Sequence, residues 1–330
     1  MISFNNIIGH EKIIDFLIKR IKNDKIGHSY LFTGNQGIGK KLTAIAFGKA
    51  VNCDNFSKLF DSCNNCNSCK KIEKGINSEF KLIEPINSVI KIEQIRDIKR
   101  DIYLQPTENR KKVYIIDEAD RMNIEASNSL LKILEEPPNY AVIILITTFF
   151  NSILPTIISR CCHLSFKPLT FEQQKTILSA TTNFNHDELD RLFRLSFGIT
   201  GKRLVEENNL EKIKFKEQYI NILAKTEPWK MEEFVFKYEK IFPGIKENFY
   251  DFLEILLLWF RDILILKVGV KNNKQLSFSE QYKKIEEYSE YYSRKRLIMI
   301  IYYLLNIPGL LEKHINQNNL LENIFLELGD

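Results

Sequence analysis

Hydrophobic patterning divides the chain into two halves of different character. Through about the first half, short runs of uniformly apolar residues alternate with segments of helical composition. Ser29-Tyr30-Leu31-Phe32-Thr33, Val113-Tyr114-Ile115-Ile116-Asp117 and Ala141-Val142-Ile143-Ile144-Leu145-Ile146-Thr147 predict strands buried on both faces. Between them, Lys40 to Val51, Lys91 to Asp101 and Ser127 to Glu136 predict helices, the last stopped by Pro137-Pro138. Strands alternating with helices imply a parallel sheet covered on both faces. From Lys167-Pro168 onward no convincing strand remains. Leu169 to about Glu206 predicts two or three short helices around a turn at Gly198-Ile199-Thr200-Gly201, and the remainder predicts an all-helical region. Its most apolar stretch, Phe249 to Val270, is interrupted by Asp251, Glu254, Arg261 and Asp262. Charges at that density favour a core-packing helix over a membrane span.

The first strand runs straight into Gly34-Asn35-Gln36-Gly37-Ile38-Gly39-Lys40-Lys41. Strand, glycine-rich loop and helix in that order form the context of a phosphate loop. Gly34, Gly37 and Gly39 let backbone N–H groups curl around a polyphosphate, and Lys40 neutralises its outer oxygens. The last position, however, should carry a Ser or Thr whose hydroxyl holds Mg²⁺, and here it is Lys41. Nucleotide binding is therefore expected to be weak, or tight without hydrolysis. Thr43 is a poor substitute, because helix neighbours two apart do not share a face. Asp117-Glu118-Ala119-Asp120 ends the second strand, where an Asp positions Mg²⁺ and a Glu beside it orients water. Thr147 and Thr148, at the end of the third, either sense a γ-phosphate or simply terminate the strand. These residues fall at the carboxyl ends of strands, where open parallel sheets bind ligands.

Composition adds little beyond this. The chain has 330 residues, enough for two or three domains, with 44% hydrophobic and 27% charged residues and a formal charge of +5. That charge permits contact with nucleic acid without requiring it. Met1 to Asn6 lacks a basic segment followed by an apolar run, so no signal peptide is expected. The cysteines change the picture more. Of six, Cys53, Cys63, Cys66 and Cys69 cluster, the last three spaced C-x2-C-x2-C. Without a secretory signal, such clustering points to a closed four-thiolate structural Zn²⁺ site rather than to disulfides. Cys161 and Cys162 are given no metal role. The five histidines do not cluster, and hydrolase signatures such as Gly-x-Ser-x-Gly and His-Glu-x-x-His are missing.

Together these motifs resemble the bacterial clamp loader subunits of the AAA+ class. The likeness is dense over the first 170 residues and looser beyond. It is carried by Ile8-Gly9-His10-Glu11, His28 to Phe32, the phosphate loop, the four-cysteine insertion, Asp117 to Asp120, Ser127 to Pro138 and Ile158-Ser159-Arg160-Cys161. The resemblance implies an AAA+ nucleotide-binding domain with a RecA-like parallel sheet over residues 1–167, its zinc module at about 53–69. A helical lid over 168–207 and a helical collar over 208–330 would follow. It implies that Arg160 is an arginine finger acting in trans on a neighbour's ATP. Two kinds of subunit must be separated: the ATP-hydrolysing motor, gamma/tau, and a rigid finger-donating paralogue. Lys41, the form of Ser88 to Arg96, Gly201 where the motor carries a lid arginine, and Trp259-Phe260-Arg261-Asp262 favour the second. The intact Lys40, Asp117 and Glu118 keep the motor as the alternative. A zinc-ribbon nucleic-acid module with a degenerate NTPase fold is a further rival, opposed by the Ser159-Arg160-Cys161 triplet.

By the same resemblance the chain would be a poor or inactive ATPase within the DNA polymerase III holoenzyme. Its partners would be gamma/tau and delta in a hetero-pentamer, the sliding clamp and primed DNA, in the cytoplasm at the nucleoid-associated replisome. Structural Zn²⁺ is the expected cofactor, with ATP and Mg²⁺ bound weakly or without turnover. On the helix from Lys91 to Asp101, Arg96 and Arg100 lie four apart on one face with Lys99 beside them. They are either phosphate contacts in the loader's DNA channel or a solvated basic face.

Overall fold

The computed structural model describes residues 2–108, 110–181, 209–235, 237–246, 248–269, 276–311 and 316–329. They fall into two compact units, the first reaching Thr181 and the second holding the described residues from Asn209 onward.

The first unit is built on five strands: β1 (Ser29–Thr33), β2 (Phe80–Ile83), β3 (Lys112–Ile116), β4 (Ala141–Thr147) and β5 (Cys162–Ser165). They form one parallel sheet in the order β2-β3-β4-β1-β5. The three strands anticipated from uniform apolarity are its centre, and β3 and β4 are buried at every position. Alternate side chains feed two cores. Tyr30, Phe32, Val113, Ile115, Val142 and Ile144 share one with Phe47 and Ala44 of α2 (Lys40–Val51) and with Leu17 of α1 (Glu11–Lys22). Leu31, Tyr114, Ile116, Ile143 and Leu145 share the other with Ile95 and Ile98 of α5 (Ile92–Ile102) and Leu130 and Ile133 of α6 (Ile124–Glu135). This two-sided burial makes a parallel sheet stable. The edge strands β2 and β5 were not anticipated from the pattern. Their residues are half-buried or exposed, so they carry no continuous apolar run.

Two short helices, α3 (Phe56–Leu59) and α4 (Asn67–Glu73), lie in the cysteine-bearing insertion between α2 and β2. After β4 come α7 (Pro155–Ile158) and, beyond β5, α8 (Phe171–Thr181). The remainder of the expected short-helix stretch, with Gly198 and Gly201, lies outside the described residues.

The second unit is helical among the described residues. Phe249–Lys267 is apolar on nearly all sides, burying Phe252, Leu253, Leu256, Trp259, Phe260 and Ile263, so it takes the central position such a helix must. Asn209–Lys225, Tyr282–Tyr291, Arg294–Leu311 and Gln317–Gly329 contribute to the same core. Asp262, buried among them, accepts a hydrogen bond from the Phe278 N–H at 2.9 Å. Among the described residues no helix is long and apolar enough to cross a membrane.

Candidate nucleotide site and metal centre

The phosphate loop follows β1 at the carboxyl edge of the sheet. Gly34 and Gly39 adopt φ of 143° and 101°, in the left-handed half of the map that glycine reaches without strain. A Cβ on Gly34 would lie 2.5 Å from the Phe166 carbonyl oxygen, so only glycine fits there. From the far side His10 braces the loop, its Nε2 2.7 Å from the Ile38 carbonyl and its ring edge-on to Phe166. Burial holds the His10 imidazole below its usual pKa, so it is neutral at physiological pH. Lys40 is buried, and its Nζ donates to the carbonyls of Gly34 and Asn35, the latter at 2.7 Å, with Thr148 Oγ1 at 3.5 Å. Burial lowers its pKa to about 8, against the raising influence of Asp117 and Asp120. Lys40 is therefore charged below that pH and loses its proton above it. Affinity for a polyphosphate is expected to be flat up to about pH 7 and to fall as pH rises through about 8, by at most about tenfold per unit. Binding of tripolyphosphate across this range checks it, and Lys40→Arg, which stays charged, should flatten the profile.

The acids at the end of β3 are each engaged within the chain. Asp117 Oδ1 accepts the Glu118 N–H at 3.1 Å, and Glu118 pairs with Arg121 at 2.7 Å. Asp120 accepts a hydrogen bond from the Thr147 hydroxyl. Lys41 reaches across from the start of α2 to Asp117, Nζ to Oδ2 3.1 Å, and hydrogen-bonds Glu84, the residue after β2. Burial opposes the Lys41 charge, but the bonds to Glu84 and Asp117 outweigh it and hold the ammonium above its usual pKa. Mg²⁺ needs an octahedral oxygen shell at about 2.1 Å. With an ammonium on Asp117, no hydroxyl at position 41 and the Thr43 hydroxyl donated to the Gly39 carbonyl at 2.9 Å, these residues do not fit it. Glu84 was not anticipated as part of this site. Its only sequence signal is its place after a strand too mixed to read.

The four clustered cysteines do converge. The sulfurs of Cys53, Cys63, Cys66 and Cys69 all lie within 4.8 Å of one another. A tetrahedral Zn²⁺ with Zn–S of about 2.3 Å needs sulfurs about 3.8 Å apart, so a small contraction closes the site. Backbone N–H groups point at the sulfurs: Cys63 to Cys53 at 3.2 Å, Cys66 to Cys63 at 3.2 Å and Cys69 to Cys66 at 3.5 Å. Such donors favour thiolates, and the four residues fit a metal. The module is also clamped from outside. Buried Lys49 of α2 donates to Asn64 at 2.7 Å and pairs with Glu73 of α4. The buried Asp61 carboxylate accepts N–H groups from Phe4, Asn5 and Ser62 at 2.9, 3.0 and 2.7 Å. Neither Lys49 nor Asp61 could be singled out from sequence, where each reads as a surface charge.

Arg160 lies at the opposite edge of the sheet from the phosphate loop. It precedes β5, and its carbonyl accepts the hydroxyl of Ser29, the first residue of β1, at 2.6 Å. Its guanidinium donates to the Thr156 carbonyl and to Glu135, both at 2.9 Å. On α5, where Glu93, Asp97 and Asp101 balance the three basic residues, Arg96 and Arg100 are exposed and Lys99 is half-buried, with Arg100 3.5 Å from Asp97.

A parallel sheet with a glycine-rich loop and lysine at its carboxyl edge defines a phosphate-loop α/β protein. The family described as DNA polymerase III, delta subunit, matches residues 9–170, and its C-terminal part matches residues 239–330. The chain is 30% identical to DNA polymerase III subunit delta′ of Bacillus subtilis over 322 residues, covering 96% of this chain and 95% of that protein. It is 40% identical to subunit tau of the same organism over 167 residues, 51% of this chain and 29% of that protein. A solved DNA polymerase III gamma subunit-related protein from Thermotoga maritima aligns over 96% of this chain and 98% of that one, at 19% identity and a TM-score of 0.40. The chain belongs to the DNA polymerase III delta′ (delta-prime) family.

Proposed function

We propose that this chain is a delta′ subunit of a bacterial clamp loader, helping to place the sliding clamp on primed DNA in concert with gamma/tau and delta. The observation that carries the reading is the near full-length match to a delta′ protein, set against a match to tau over half the chain. Within it, the phosphate loop is a nucleotide cradle that does not hydrolyse, because the position that should ligate Mg²⁺ is a lysine bonded to Asp117. Residues 1–167, 168–207 and 208–330 are assigned as nucleotide-binding domain, lid and collar. The four cysteines hold a structural Zn²⁺, whose chemistry is to fix the insertion; Lys49 and Asp61 orient the loop around it.

Arg160 serves as the finger for the ATP of a neighbouring motor subunit. The length of β1 separates it from its own cradle, about 13 Å at 3.3 Å per residue, which supports action in trans rather than in cis. Its tether to Glu135 is a partly exposed ion pair of small worth, about 0–1 kcal/mol, so the guanidinium is free to be redeployed. Arg96, Lys99 and Arg100 contribute sequence-independent phosphate contacts, or else remain a solvated face.

The test is reconstitution with gamma/tau and delta, reading clamp loading on primed DNA. Wild type should complete the loader, and Lys40→Ala should leave its ATP turnover within about twofold, since this site does no phosphoryl transfer. A collapse of turnover with Lys40→Ala would move the reading to the motor subunit.

A further inference from the structure

We propose that the phosphate loop takes a nucleoside polyphosphate without a divalent cation, the Lys41 ammonium standing where Mg²⁺ would otherwise bridge phosphate and Asp117. This rests on reading residues 34–41 as a phosphate cradle, and goes beyond it to the ionic form of the ligand.

Three features support it. Two carboxylates converge on Lys41 from adjacent parallel strands, Glu84 after β2 and Asp117 after β3, locked in register by the Asp117 N–H donating to the Ile83 carbonyl at 2.9 Å. An ammonium has three donors. With two spent on Glu84 and Asp117, one remains for a phosphate oxygen. Second, Lys41 sits in the first turn of α2, where unpaired N–H groups and the helix dipole already attract an anion. A lysine is unfavourable there by itself, and the two acids offset that. Third, the other groups that could hold a metal are committed: Thr43 to Gly39, Asp120 to Thr147 and Glu118 to Arg121. The site therefore carries a covalently attached cation in place of an exchangeable one.

Calorimetric titration of ATP into the full chain, in Mg²⁺ and in excess EDTA, tests this directly. Wild type should give dissociation constants that agree within about twofold in the two buffers. Lys41→Thr restores the metal-binding hydroxyl, and its affinity should drop about tenfold or more in EDTA. Lys41→Met supplies neither cation nor hydroxyl, and should bind about tenfold more weakly than wild type in EDTA. Wild-type binding that requires Mg²⁺, or Lys41→Met binding as tightly as wild type in EDTA, overturns the inference and leaves the cradle standing. No ATP bound in either buffer overturns the cradle reading with it.

Discussion

Arg160→Ala is expected to slow hydrolysis at the adjoining motor subunit's ATP site by about a hundredfold or more, with the assembled loader intact. A fixed guanidinium neutralises charge that develops on the transferring phosphoryl group, and loss of an arginine finger costs about 10³–10⁵ in rate. The lower figure allows for residual stabilisation by the motor's own lysine and metal. Because one finger serves one site, total turnover of the loader understates the defect. Single-turnover hydrolysis and clamp-loading rate are the informative measurements. Arg160→Lys should rescue little, since an ammonium cannot reproduce the planar fork. Among the described residues the side chain bonds to Thr156, Ser159 and, in a partly exposed ion pair, Glu135, so the melting temperature should stay near wild type. A variant that loads clamps at the wild-type rate would remove the finger role. One that fails to assemble would move Arg160 to an interface role instead.

Removing the metal should have the largest effect on the fold. Full-length protein is expected to contain one Zn²⁺, and chelation or Cys69→Ser should lower the melting temperature by about 10 °C or more. Cys69 is the most buried of the four at 1% exposure, and Cys53 and Cys69 belong to the same core as Phe47 and Phe56. The damage therefore should not stay inside the insertion. With the thiolates no longer drawn together, Asn64 and Glu73 lose their fixed places, and Lys49 is left as a buried charge without partners, which costs several kcal/mol. Metal content by plasma mass spectrometry and scanning calorimetry check both halves of the expectation. Protein purified without zinc, and a Cys69→Ser melt equal to wild type, would show that the cluster is merely four neighbouring thiols.

How much of this was legible beforehand depended on local pattern. Strands β1, β3 and β4 are buried on both faces, so polar residues fall only at their ends and their interiors are apolar runs. Phe80–Ile83 carries a half-exposed lysine and Cys162–Ser165 alternates, because an edge strand answers partly to solvent. A strand without a legible pattern hides the residue that follows it, Glu84, the partner that explains Lys41. The phosphate loop, the acids after β3 and the Cys63-Cys66-Cys69 run stand out in the sequence because each keeps its residues within a short, regular spacing. The Lys49–Glu73, Asp61–Phe4 and Ser29–Arg160 links were not. They join residues 24, 57 and 131 positions apart, and nothing in a single charge or hydroxyl announces so distant a partner.

The bond from Ser29 to the Arg160 carbonyl gives β1 two occupations. At one end the strand delivers the chain into the phosphate loop, and at the other it anchors the arginine. Five residues of strand, all paired with β4 and the last four also with β5, have little freedom to bend or stretch. If Arg160 and the phosphate loop act as proposed, the chain is polarised like a connector with a plug on one edge and a socket on the other, the spacing between them set by the length of a strand. In a ring or arc of such units, one contact's position dictates the next. A subunit placed at the end of the row would present its plug to a neighbour and leave its socket to the open side.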